Sequence, residues 1–494
     1  MPSGEHRSAL PAKLAPRLSW ALPTTHGARF AAVMGSIGMA CVACGPEIDT
    51  VAIGVGGNAG GAGSAGSAGS AGSAASAGDG DVPSVAGSLG TGVTCDDTRP
   101  QLLWPAPTGE RTVCTASFAP ARMSQALCSC GVLGTFGAVS TDAFDSSAQE
   151  TAPGTAAVGA NGAFETPSAI IGGRLTVAAP VVLLTSLLDV ARDLRLGGEL
   201  HISGPLTVAR DAWLAQAGKA LSIVLIGGDL HVPPDKPLDE VISRGVVGQI
   251  VTEEFAVPPP CRCDESGVLD WSTVIQSASA QNDNSKIGLT PQTLNAPAQA
   301  TAVTLPCGRY YVEGMTGSSD VHLHIEGRVA LFVAGDVLST GQLRVTFGTA
   351  AELDWFVGGR LDFERAVQIG DVERPAALRV YVAGEGRLTL PSPHVFGNVY
   401  APRSDLSLIG DADLHGSVFG RSVTSPHSII VHYDAAVQRV DDGCVIDGAT
   451  SCNDCSECSG GLGCVSGSCA ECSVDSECCW PLVCNGGRCG AELP

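Results

Sequence analysis

The chain has 494 residues, a net charge of −22, 44% hydrophobic residues and only 5% aromatics, with 63 glycines and 20 cysteines. That hydrophobic share excludes a disordered polyelectrolyte, and so much glycine is poor material for a compact helical enzyme. The acidic balance excludes nucleic acid as a partner, because phosphates need a basic surface.

At the N-terminus, Lys13, Arg17 and Arg29 precede an apolar run from Phe30 to Ala43. The run is too short for a stable transmembrane helix, and it ends in Met39-Ala40-Cys41-Val42-Ala43-Cys44-Gly45. Small residues before a cysteine resemble a bacterial lipobox, in which the cysteine is lipidated after signal cleavage. The usual Leu three places upstream is Gly38 for Cys41, and Cys41 itself for Cys44. Parity favours Cys44: cleavage there removes Cys41, acylation uses Cys44, and eighteen cysteines remain. Residues 1–44 are thus expected to be a signal that leaves a lipid-anchored protein on the outer membrane or cell surface. An ordinary secretory signal and a misread start are the alternatives. No later apolar run is long enough to cross a bilayer, so membrane contact is expected through the anchor alone.

Residues 45–94, with Gly60-Gly61-Ala62-Gly63-Ser64-Ala65-Gly66 and the repeats after it, read as a flexible linker. Fifty such residues reach on the order of 40 Å, enough to hold a domain clear of a membrane. Residues 95–150 carry Cys95, Cys114, Cys128 and Cys130 with few apolar runs, a lead-in or cap tied by disulfides. Zinc is the other reading, although the paired C-x2-C knuckles of zinc sites are missing.

Residues 151–440 carry a recurring motif: two apolar residues, a small residue, Gly, any residue, an apolar residue. It appears as Ile170-Ile171-Gly172-Gly173-Arg174-Leu175, Arg195-Leu196-Gly197-Gly198-Glu199-Leu200 and Leu225-Ile226-Gly227-Gly228-Asp229-Leu230. It returns as Phe332-Val333-Ala334-Gly335-Asp336-Val337, Phe356-Val357-Gly358-Gly359-Arg360-Leu361 and Tyr381-Val382-Ala383-Gly384-Glu385-Gly386. The second glycines fall 25, 30, 107, 24 and 25 residues apart, the long gap marking one insertion. Short alternating strands with glycine corners at a period of about 20 to 25 predict an all-β fold, a right-handed parallel β-solenoid. Leu196, Leu200 and Ile202 are expected inward, with Arg195, Glu199 and His201 outward. Leu343, Val345 and Phe347 alternate in the same way with Arg344 and Thr346. A β-sandwich with glycine turns is the competing architecture. The insertion, 232–307, holds Cys261, Cys263 and Cys307 and a helix expected over Leu269–Ala280; as a long excursion it is the expected place for partner contacts.

The tail, 441–494, repeats itself with a shift of twenty. Cys452, Cys458, Cys464 and Cys469 are followed by Cys472, Cys478, Cys484 and Cys489, and each copy has one extra cysteine, Cys455 or Cys479. The residues between are too small and polar to bury a core, so the segment folds only when cross-linked or metal-bound. These ten cysteines suggest five bridges in the tail and four before it, the latter including Cys444. Zinc remains open, since Cys452-x2-Cys455-x2-Cys458 has ligand-like spacing. Disulfides place the chain outside the cytoplasm.

The coil pattern resembles bactofilin-like, polymer-forming β-helix domains and the β-helix domains of bacterial surface and pilus-associated proteins, myxobacterial lipoproteins among them. The match lies in Val395-Phe396-Gly397-Asn398-Val399-Tyr400-Ala401-Pro402, Gly416-Ser417-Val418-Phe419-Gly420, His432-Tyr433-Asp434 and Leu305-Pro306-Cys307-Gly308-Arg309-Tyr310-Tyr311. It spans roughly residues 140 to 440 and implies a non-enzymatic surface role. Cys472-Ser473-Val474-Asp475-Ser476-Glu477-Cys478-Cys479 with Cys484 and Cys489 is similar to an inhibitor-knot (knottin) module.

Candidate chemistry is sparse. Asp411 and Asp413, two apart near Arg403, Asp405 and His415, have the alternation a carboxylate pair or a calcium site needs, or form a polar turn. His322 and His324 share a face with Asp320 nearby, as metal ligands or as solvent-facing histidines. His432-Tyr433-Asp434 is not a triad, because neighbours on a strand point to opposite faces. The expected protein is a non-catalytic structural or adhesion lipoprotein without cofactor, touching a surface glycan, a protein or further copies of itself. An extracellular polysaccharide-processing enzyme and a displayed knottin-like binder or inhibitor are the alternatives. Replacing Cys44 by Ser is expected to shift the mature protein from the membrane to the soluble fraction. Unchanged retention, with release by Cys41→Ser instead, would move the anchor to Cys41.

Overall fold

The computed structural model describes residues 102–105, 111–114 and 122–440, apart from 184–186, 217, 221, 237–239, 264–270, 364–365 and 392–394, together with parts of 463–490. The signal, the linker and the cysteines Cys44, Cys95, Cys444, Cys452, Cys455, Cys458 and Cys479 lie outside these residues.

The alternating apolar residues build a parallel β-solenoid of about 12 turns. Most coils have three short strands, so the stack has three faces. One coil runs Leu194–Leu196, Leu200–Ile202, Leu206–Val208, and the next runs Ala212–Leu214, Gly218–Ala220, Val224–Ile226, each strand pairing in parallel with the one a turn away. Leu196, Leu200 and Ile202 are buried inside, while Glu199 and His201 are exposed. Leu343 and Val345 likewise point in and Arg344 out, whereas Phe347 at the strand's end is half-buried.

In the returning coils the glycine motif keeps step with the coil, since Val333, Val357 and Val382 are paired neighbours, but in the outgoing coils it does not. On one face Leu175, Leu194, Ala212 and Leu230 recur every 18 or 19 residues. The spacings of 25 and 30 arise because the motif occupies two different corners. Gly198 follows Leu194–Leu196 on one face, whereas Gly173 and Gly228 follow Ser168–Ile171 and Val224–Ile226 on another.

Both glycines of the motif answer to the neighbouring coil. A Cβ on Gly227 would lie 2.5 Å from the carbonyl oxygen of Ala209, and one on Gly358 would lie 2.4 Å from that of Ala334. At the second position the obstacle is backbone again for Gly173 and Gly198, but a carboxylate for Gly228 and Gly359. Asp211 Oδ1 accepts the N–H of Asp229 on the next coil at 2.8 Å, and a Cβ on Gly228 would come within 2.1 Å of that oxygen. Asp336 does the same for the N–H of Arg360, over Gly359. The glycine makes room for an acid that ties corner to corner.

The chain enters this stack in its middle. Residues 127–145, counted above with the lead-in, form a coil because Leu127, Leu133 and Val139 are fully buried. Its strands Leu127–Ser129, Leu133–Thr135 and Ala138–Asp145 pair on one side with the second coil. On the other side they pair with the last strands of the solenoid, Ala412–Ser425 and Ile429–Asp434. From this seam the coils wind outward to Leu230–Val232 and Ile250–Thr252. A crossing segment then carries the chain to the opposite end, and coils from Thr301–Leu305 onward wind back to the seam. Asp434, fully buried, fastens the seam by accepting the N–H groups of Ser146, Ala376 and Ala436.

The crossing segment, expected as a partner-contact excursion, is an internal strap. Near one end, helix α1 (Glu240–Arg244) buries Ile242. At the first coil, Cys128–Cys261 and Cys130–Cys263 bond strap to stack, and Asn161 both donates to and accepts from the backbone of Cys261. Helix α2 (Trp271–Ala280), close to the expected span, buries Trp271, Val274, Ile275 and Ala278. Trp271 packs on outward-facing Phe356, Tyr381 and Tyr400 at ring distances of 5.3, 4.8 and 6.4 Å. Phe332 stacks on Phe356 and Phe356 on Tyr381, at 5.0 and 4.9 Å. This is why Phe332-Val333, Phe356-Val357 and Tyr381-Val382 are apolar pairs: one member faces the core and the other faces the strap. Beyond the helix, Asp283 and Asn284 accept the N–H groups of Arg309 and Tyr311.

One charge is buried beside the aromatic ladder. Arg379, 1% exposed, binds Asp354 through two nitrogens at 2.6 and 3.1 Å, Glu352 at 2.9 Å and the carbonyl of Ala376 at 2.8 Å. Burial opposes its charge, but Asp354 and Glu352 outweigh that and hold its pKa above the ordinary value. Such a cluster is tolerable because every partner is present.

The register makes an unequal prediction for two neighbours. Leu361 is 1% exposed, so Leu361→Asp buries a carboxylate and should cost several kcal/mol. Arg360 shares an exposed ion pair with Asp336, so Arg360→Ala should cost less than about 1 kcal/mol. Denaturant midpoints compare them, and equal losses would rule out this register.

Candidate functional site

At the seam, three adjacent outward strands bring four polar side chains together. Phe396, His415 and His432 are laterally paired along the stack, and His432 is paired with Asp142 of the first coil. Asp413 lies two residues before His415, and therefore on the same face. His432 Nδ1 is 2.7 Å from Asp142 Oδ1, and its Nε2 is 3.1 Å from Asp413 Oδ1. His415 Nε2 is 3.7 Å from the same oxygen. The imidazoles lie 4.6 Å apart, and Phe396 and Phe144 meet His415 edge-on.

This differs from the carboxylate pair read in the sequence. Asp411 sits exposed in the bend before the strand, while Asp413 joins the two histidines. Asp405 belongs elsewhere: Arg421 grips it with two nitrogens and Ser422 donates to it at 2.7 Å. The Arg421 hydrogen bond first, then that of Ser422, holds its pKa low. Arg403 is exposed. Asp142 escaped sequence reading because 290 residues separate it from His432.

His322 and His324 do share a face, but both lie 3.0 Å from Thr346 Oγ1. Asp320, the suggested third ligand, instead accepts the N–H of Gln342 on the next coil at 2.8 Å. It is another corner acid. Burial first, then Arg344 and His324, lowers the pKa of His322.

Among the cysteines, Cys472–Cys484 and Cys478–Cys489 are bonded within the tail, and Cys307 and Cys464 are also in disulfides. Two hairpins, Gly463–Val465 with Ser468–Ala470 and Val483–Asn485 with Arg488–Gly490, repeat the twenty-residue shift in backbone form. Cys472, Cys478 and Cys489 crowd together, but oxidised sulfurs are not the thiolates that zinc requires. Among the described residues no helix is long and apolar enough to cross a membrane.

The fold and the seam cluster define a disulfide-bonded β-solenoid protein. A family described as a domain of unknown function (DUF7305) matches residues 270–440, the strap helix and the returning coils. No curated protein matches the chain. Two solved structures are similar in part. The tapirin C-terminal domain of Caldicellulosiruptor kristjanssonii is 10% identical, covering 66% of this chain and 96% of its own, with a TM-score of 0.17. An ice binding protein from an Antarctic Flavobacteriaceae bacterium is 11% identical, covering 62% and 81%, with a TM-score of 0.14. Neither superposition is close enough to bear on function.

Burial of His415, helped by the charge of His432, lowers its pKa below the usual 6.5 despite the opposing pull of Asp413 and Asp142. A depressed folded value makes the neutral form the stable one. As pH falls through the unfolded value of about 6.5 the unfolded chain takes up the proton first, so stability is lost on acidification. Thermal midpoints measured from pH 8 to 5 should therefore fall, and His415→Gln should flatten the fall.

Proposed function

We propose that this protein is a non-catalytic structural or adhesion component of the bacterial surface, held on the outer membrane by lipid at Cys44. The 45–94 linker serves as tether, the solenoid as rod and the cysteine-rich tail as a contact module for a surface glycan or a protein. The observation that carries the reading is the oxidation state. Cys128–Cys261 and Cys130–Cys263 bond strap to stack, Cys472–Cys484 and Cys478–Cys489 bond the tail, and such a framework belongs to an oxidising compartment. The stacked coils support the same reading, because a repetitive solenoid offers an extended surface for contacts.

The test is in two parts. Antibody against residues 122–440 should label intact cells, and soluble protein starting at residue 95 should bind glycans or surface extracts without releasing product. Labelling only after permeabilisation would refute the location, and turnover of any polysaccharide would favour an enzyme on the same coil.

A further inference from the structure

We propose that the seam cluster is a binding site for one divalent first-row transition ion of the zinc, cobalt or nickel class, with His415, His432 and Asp413 as ligands and Asp142 as the positioning residue for His432. The three ligand atoms lie within 4.8 Å of one another. A tetrahedral ion with bonds of about 2.1 Å sets its ligand atoms about 3.4 Å apart. The observed separations from Asp413 Oδ1, 3.1 Å to His432 Nε2 and 3.7 Å to His415 Nε2, bracket that edge. Two imidazoles and one carboxylate are borderline ligands, which favour such ions over calcium, whose ligands are oxygens.

The surroundings add a second reason. Asp142 takes Nδ1 of His432 at 2.7 Å, fixing the ring and leaving Nε2 for the ion, as carboxylates commonly do behind metal-bound histidines. Phe396 and Phe144 wall the His415 ring. Asp413, His415 and His432 are between 24% and 46% exposed, so the cluster lies at the surface of the seam rather than inside the core. The ligands come from the last two strands and the positioning carboxylate from the first coil, so a bound ion would join the end of the solenoid to its beginning.

The experiment uses the oxidised full chain without its signal, with free thiols shown to be absent, titrated with zinc and with cobalt. The expected result is one saturable equivalent and a cobalt spectrum without a thiolate charge-transfer band. His415→Ala and His432→Ala should each abolish that equivalent, and Asp142→Asn should weaken it by about 10- to 100-fold at unchanged stoichiometry. An exposed histidine away from the seam, His201→Ala, should bind as the parent does. Should the seam variants fail to fold, the parent protein still gives an answer: zinc should protect His415 and His432, and not His201, from carbethoxylation read by peptide mass. No saturable binding, a thiolate band that accounts for the ion, binding retained in the doubly substituted His415→Ala/His432→Ala chain, or no selective protection would each overturn the proposal.

Discussion

Everything in this molecule depends on the spacing of parallel strands, about 4.8 Å from one coil to the next. At the corners that spacing leaves no room for a side chain on both coils. The chain meets the constraint with glycine, and at some corners with paired roles: glycine on one coil, an aspartate from its neighbour over it, and a backbone N–H held by that aspartate, as with Asp211, Gly228 and Asp229. On the flat faces the same spacing is an advantage, because like side chains can stack. Phe332, Phe356 and Tyr381 form a column that no single coil could stabilise.

A stack of coils has two further needs, an end that does not recruit another strand and a cover for any apolar outer face. The crossing segment serves both. Trp271 closes over the aromatic column, Ile242 is buried near one terminus of the stack, and Asp283 with Asn284 satisfies backbone donors near the other. This bears on the resemblance to polymer-forming β-helix domains. Strand edges occupied by the chain itself offer less to a second copy than bare ones would.

The fold class was legible in the sequence because alternation and glycine corners are local signals. Leu196, Leu200 and Ile202 against Glu199 and His201 suffice to set inside and outside. The helix was legible too, over the part described, Trp271–Ala280. The order of the coils was not. Nothing local announces that Leu127 begins a coil in mid-stack, or that Val418 will pair with it, since the two are brought together only by the return of the whole chain. The site suffered for the same reason. Asp413 and His415 could be seen as neighbours on one strand, and His432 as a strand residue, but their convergence with Asp142 is a product of the seam. The motif period gave the coil length in the returning coils, where Val333, Val357 and Val382 are paired neighbours, and misled only in the outgoing ones, where the motif recurs at two different corners.

The two bridges between the first coil and the strap also decide how the rod would respond to being pulled. Tension arriving from the N-terminal side passes at Cys128 through sulfur to Cys261, with Cys130–Cys263 as a second rivet beside it. The coils between those cysteines lie off the load path, in a covalent loop that force alone cannot pay out. That loop, which takes in the outgoing coils and the first part of the strap, cannot lengthen until a reductant cuts the bridges, so oxidation limits how far the molecule can be drawn.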